Sequence, residues 1–186
     1  MTELSEDDRQ ELCRIARTTL REYAYASTLP PGLPHRPLLL NSGSAAVHVW
    51  QGDRLRGRGV LLDEGNQLYY AVELAAVQAG FFDPRSERLQ PEEIAELRIV
   101  VTVLGPAEVV RQGHDELEPD RHAVVVRTGP LQGVFTPECV RGERWNRAAW
   151  LAAIHRSVGG PGLSEKLIWQ RYDTQRFSNP PIAACR

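Results

Sequence analysis

The sequence predicts an α+β fold with mainly antiparallel sheets and flanking helices, and three observations predict it. An amphipathic helical stretch opens the chain. Strand-period runs follow in hairpins, without regular strand–helix alternation, and no repeat of 20–50 residues is present. A chain of 186 residues suits one domain, or one domain with two lobes, and is long enough to bury a core.

Ser5 followed by Asp8 resembles a capping box, and Leu12, Ile15, Ala16, Leu20, Tyr23 and Ala24 fall on one face at helical spacing. These predict a helix over about Glu6 to Ala26. Four prolines between Thr28 and Pro37 exclude a helix there and predict an extended connection. From Ala45 the period becomes two, with Val47 and Val49 alternating with His48 and Trp50. Gln51-Gly52-Asp53 then turns the chain into a second strand, Arg54 to Leu62. An Ala-rich helix is predicted from Tyr70 to Phe82, with Ala71, Leu74, Ala75, Gln78 and Phe82 on one face, stopped by Asp83-Pro84. Pro91 starts a short turn, and Ile99, Val101 and Val103 mark a strand. His122–Arg127 and Gln132–Thr136 read as a second hairpin. A helix follows from Asn146 to Val158, ended by Gly159-Gly160-Pro161-Gly162, and a last strand lies around Arg171–Arg176.

Composition narrows the function classes. The net charge of −2, with acidic and basic residues mixed, argues against general nucleic-acid binding. Lys166 is the one lysine among 22 basic residues, so basic sites are forked guanidinium groups suited to carboxylate or phosphate. Cys13, Cys139 and Cys185 are far apart and form no CxxC pair, and the five histidines show no ligand spacing, so no metal site is expected. No stretch approaches the ~20 apolar residues of a membrane span, and the acidic N-terminus lacks an apolar leader; a cytoplasmic location is expected. Nucleotide-loop, dinucleotide and hydrolase-elbow signatures are absent, so no cofactor is named.

The richest segment is Leu55-Arg56-Gly57-Arg58-Gly59. In an extended strand Arg54, Arg56 and Arg58 share one face, where an anion or acidic partners would relieve their repulsion. Gly57 and Gly59 allow close backbone approach or positive φ. The alternative is a solvated hairpin face balanced by Asp53, Asp63 and Glu64. Arg85, after Asp83-Pro84, is a further candidate for the anion edge, or else part of a helix stop held by a salt bridge. Glu73 on the Ala-rich helix could partner an arginine.

Leu55-Arg56-Gly57-Arg58 resembles the Leu-Arg-Gly-Cys-Ile-Gly signature of the AMME chromosomal-region protein family, which includes AmmeMemoRadiSam system protein A. Asp83-Pro84-Arg85, the strand Leu97–Leu104, Arg121-His122-Ala123, Phe135–Val140 and Trp145 with Trp150-Leu151 are similar to further family segments, in the same order. Arg58 stands where the family has its cysteine, so a thiol-dependent role at that position is lost. The resemblance implies a two-lobed α+β domain over residues 1–186, with a smaller lobe inserted at about 51–114 and the signature near the cleft between lobes. It also implies association with radical-SAM and Memo-like proteins, and it singles out His122, whose charge would respond to pH if it faced the arginines.

The expected function is binding of a small anionic ligand by Arg54, Arg56, Gly57, Arg58, Arg85 and His122, in an accessory protein with no catalytic residue identified. Two alternatives stand beside it. One is an enzyme, or enzyme partner, in a radical-SAM/Memo pathway; the other is an interaction scaffold with a vestigial cleft.

Overall fold

The computed structural model describes residues 2–30, 34–62, 65–110, 116–159 and 167–179. Asp63, Glu64, His114, the terminator at 160–162, Lys166, Cys185 and the Pro-rich tail therefore lie outside the described residues. Helices and antiparallel sheets make an α+β fold, divided into two compact units. The larger comprises Thr2–Leu104 and Gln175–Arg186, the smaller Gly105–Thr174. The division falls after Leu104 and after Thr174, and not around a segment at 51–114.

In the larger unit, α1 (Glu6–Ala26) begins at a true capping box. The Ser5 hydroxyl accepts the Asp8 N–H, and the Asp8 carboxylate accepts the Ser5 N–H at 3.1 Å. Caps of this kind are worth about 1 kcal/mol. The helix ends at Ser27, whose φ of 54° lies in the left-handed region. Its apolar stripe, with Leu12, Ala16 and Leu20 wholly buried, enters the unit's core. Each such leucine contributes roughly 1.5–3 kcal/mol. Arg17 ties the helix to the next layer, donating to the carbonyls of Ile94 and Leu97 at 2.7 and 2.8 Å. The proline-bearing connection is not wholly extended: Pro37–Leu40 forms a short 3-10 turn.

β1 (Ser44–Gln51) pairs antiparallel with β2 (Arg54–Leu61) and with β3 (Arg98–Leu104). Ala45, Val47 and Val49 stand in line with Val103, Val101 and Ile99, and this apolar face packs into one core with α1 and α2 (Leu68–Val77). Ser44, Ala46, His48 and Trp50 form the opposite face with Leu104, Thr102, Val100 and Arg98. A π-helical turn, Gln78–Phe82, extends α2, and a 3-10 turn, Pro91–Glu96, precedes β3. The face expected for this helix is only partly right. Ala71 and Ala75 are buried, whereas Phe82 is 58% exposed and the buried set includes Val72, Glu73 and Ala76. Alanines leave the hydrophobic period weak, so packing decides which face turns inward.

The smaller unit holds β4 (Glu108–Val109), β5 (His122–Thr128), β6 (Leu131–Phe135), α3 (Pro137–Glu143), α4 (Arg147–Ser157) and the first part of β7 (Ile168–Asn179). β6, β5, β7 and β4 pair antiparallel in that order. Trp150, Ile154 and Val158 of the α4 region meet Val124, Val126 and Trp169 in a separate core. Asn146 caps α4 by accepting the Ala149 N–H at 2.9 Å. β7 is longer than expected, because its first residues pair with β5 and its last, Gln175–Asn179, belong to the larger unit. Helix α3 was not foreseen. Thr136-Pro137 was its signal, since a proline at the first helical position is favoured.

Candidate functional site

The hairpin β1–β2 forms as expected, but its register changes the arginine arrangement. Val49 stands opposite Gly57 and Trp50 opposite Leu55, so Arg56 is an extra residue, a β-bulge. The bulge breaks the period of two. Arg58 faces His48 and Arg54 faces Gln51, positions three apart on β1 and therefore on opposite faces of the sheet. The three arginines do not share one face.

Arg56 is 8% exposed. Its Nε and Nη2 donate to the two oxygens of Glu93 at 3.2 and 3.3 Å. Nη1 donates to the Glu87 carbonyl at 2.5 Å, and Nη2 to the Arg88 carbonyl at 3.3 Å. Burial opposes charge on Glu93, yet the Gln90 N–H and Arg56 outweigh it and hold the carboxyl below its usual range. The guanidinium is thus a strut that pins the segment between the π turn and the 3-10 turn to β2.

Gly57 and Gly59 serve close packing, without positive φ. A Cβ on Gly57 would lie 2.0 Å from the Ala79 carbonyl oxygen, and one on Gly59 2.1 Å from that of Ala75. β2 is the outer strand, and side chains satisfy its edge. Gln78 accepts the Val60 N–H at 3.1 Å, and Asp83 accepts the Arg58 N–H at 2.9 Å. The second oxygen of Asp83 accepts the Arg85 N–H at 3.1 Å. One carboxylate therefore brings Arg58 and Arg85 together. Arg54 and Arg85 are exposed, and Arg58 is half-buried.

His122 lies in the smaller unit at the start of β5, 3% exposed. Its Nδ1 accepts the Glu118 N–H at 3.0 Å, which leaves the proton on Nε2, 3.5 Å from Asp173. Burial lowers its pKa, opposed by the Asp173 charge. Its partners within the smaller unit are Glu118 and Asp173.

Glu73 takes no arginine either. It is 6% exposed, and burial pushes its carboxyl up to about 7. An alanine-rich helix carries too weak a period to announce a buried glutamate. Cys13 and Cys139 are buried, and burial pushes the Cys13 thiol up to about 12. Neither is a ready nucleophile. Among the described residues no three His, Cys, Asp or Glu groups gather as a metal site, and no helix is long and apolar enough to cross a membrane.

The AMMECR1 family model matches residues 13–178. Its relatives include archaeal proteins. A protein of Aeropyrum pernix is 30% identical over 94% of this chain and 77% of its own length. One from Pyrobaculum islandicum is 28% identical over 89% of this chain and 80% of its own length. The crystal structure of the uncharacterized protein PH0010 from Pyrococcus horikoshii superposes with a TM-score of 0.84 at 22% identity, covering 96% of this chain and 95% of that one, which is a likeness of fold. The family match runs through both units, from α1 to β7, and with it the chain belongs to the AMMECR1 family.

Proposed function

We propose that this AMMECR1-family protein binds a small anionic ligand at Arg58 of β2 and Arg85 of the Asp83 turn. Arg58 and Arg85 supply the charge, whereas Arg54 stands on the opposite face of the sheet and takes no part. The observation that carries the reading is the Asp83 carboxylate, whose two oxygens fix the backbones of Arg58 and Arg85 beside one another. Asp83 holds the two backbones, and the guanidinium forks they carry suit carboxylate or phosphate oxygens. Arg56 and Gly57 act here as scaffold, through the Glu93 strut and the contact with Ala79. By its resemblance to the family signature Arg58 stands at the cysteine position, so this place offers charge instead of a thiol.

Isothermal titration with inorganic phosphate, nucleotides and dicarboxylates tests this. The double variant Arg58→Ala/Arg85→Ala is expected to lose affinity at least tenfold; affinities equal to those of the unaltered protein would sink the reading.

A further inference from the structure

The start of the chain and its last strand are fastened together in the larger unit. Gln175 of β7 accepts the Leu4 N–H at 2.9 Å and donates to the Thr2 carbonyl at 2.7 Å. Beside this tie, between the first turns of α1 and the end of β7, lies a cleft of about 380 Å³. Small-molecule sites span about 300–1,000 Å³, so the cleft is large enough for a small ligand. Glu6, Arg9, Gln10 and Cys13 line it from one side, and Phe177 and Ser178 from the other. The four helical residues are related by steps of three or four, so they form one stripe of α1. Cys13 is 4% exposed and Phe177 packs against the unit's core, which makes the floor apolar. The rim is polar and carries both signs of charge.

Neither charge is committed to a strong partner among the described residues. Arg9 pairs at 3.4 Å with Glu3, whose side chain is 87% exposed, and Glu6 accepts from the Gln10 amide at 3.2 Å. An exposed ion pair of that length contributes little and exchanges readily for another carboxylate. An anion alone would meet Glu6, and a cation alone would meet Arg9. A zwitterion satisfies both, and the apolar floor suits an aliphatic side chain. We propose that this cleft binds a free α-amino acid with an aliphatic side chain. Its carboxylate meets Arg9, its ammonium meets Glu6, and its side chain lies against Cys13 and Phe177. The site shares no residue with the arginines of the Asp83 turn and does not rest on the anion reading.

The test is calorimetry on the full chain with three probes of one carbon skeleton. Leucine carries both charges, 4-methylpentanoate lacks the ammonium, and 3-methylbutylamine lacks the carboxylate. Leucine is expected to bind saturably, and each analogue at least about tenfold more weakly. Arg9→Met is expected to weaken leucine about tenfold and leave the amine unchanged, whereas Glu6→Gln weakens leucine and leaves the carboxylate unchanged. Ser178→Trp, at an exposed wall position, is expected to close the cleft and abolish binding while the melting temperature holds. Arg58→Ala/Arg85→Ala is expected to bind leucine like the unaltered protein. No leucine binding at millimolar concentration overturns the proposal, as does equal affinity for leucine and either analogue. Leucine affinity unchanged in Arg9→Met or in Ser178→Trp overturns the cleft as the site. Loss of leucine binding in Arg58→Ala/Arg85→Ala overturns it too, by moving the ligand to the Asp83 turn.

Discussion

Arg56 and Glu93 meet through two hydrogen bonds, Nε to Oε1 at 3.2 Å and Nη2 to Oε2 at 3.3 Å, with Arg56 buried at a β-bulge. The bulge turns this residue out of the strand's alternation, so a side chain whose spacing suggested ligand contact holds two segments of the fold together. Arg56→Ala leaves the Glu93 carboxylate and two carbonyls short of donors. The expected loss is about 2–4 kcal/mol in urea denaturation, against under about 0.5 kcal/mol for the exposed Arg54→Ala. Equal effects of the two substitutions would contradict the strut.

Gly57 and Gly59 let β2 lie against α2 and the π turn. An added methyl group meets a carbonyl oxygen at 2.0 or 2.1 Å, backbone atoms that cannot swing aside. Gly57→Ala and Gly59→Ala are each expected to cost at least about 2–3 kcal/mol, or to prevent folding. Gly52, at a turn with open space around it, tests the difference. Its φ of 58° makes Gly52→Asn milder than either strand substitution in a thermal melt.

Glu73 gives the larger unit a pH dependence of definite sign. Its carboxyl rises from an unfolded value of 4.5 to about 7 in the fold. The neutral form is the one the core accepts, so the stability it permits is complete below pH 4.5 and declines as pH rises through 7. The difference corresponds to about 3 kcal/mol. Glu73→Gln is expected to flatten the fall in stability between pH 5 and pH 8.5, read by urea denaturation at both. The same slope in both proteins would exclude Glu73 as its source.

His122 works in the opposite direction. Burial lowers its pKa, so the unfolded chain takes up its proton first and stability falls as pH drops below about 6.5. His122→Gln is expected to remove part of this acid sensitivity, measured as melting temperature between pH 5 and pH 7.

Cys13 is expected to resist alkylation in the folded protein at pH 7.5 and to react fully once the chain is unfolded. Its burial and its thiol at about 12 both disfavour the thiolate. Peptide mass spectrometry after iodoacetamide treatment reads the site directly, and rapid native labelling of Cys13 would show that the helix α1 stripe opens.

Much of the architecture is legible in local pattern. Helix α1 runs over the residues its stripe and capping box announce, and both hairpins lie where period two resumes after a glycine turn. Two kinds of feature escaped. Helix α3 is too short for periodicity to register, and the burial of Glu73 depends on what packs around an alanine-rich helix. Of the candidate ligand residues, Arg58 and Arg85 are brought together by Asp83, whereas Arg56 is committed to Glu93 and His122 to the Asp173 and Glu118 side of the smaller unit.

The sequence by itself determined the α+β class, the strands and principal helices, because these follow from residue type and short-range spacing. Tertiary structure decided which arginine is structural. It did so through one extra residue in the β1–β2 register, which no spacing rule contains, and through the 87–93 segment that supplies the acceptors for Arg56. Tertiary structure also decided that Glu6 and Arg9, ordinary in the helix pattern, meet Phe177 and Ser178 around one cleft. A concave site is a property of what surrounds it in space, and distant segments of the chain supply its walls.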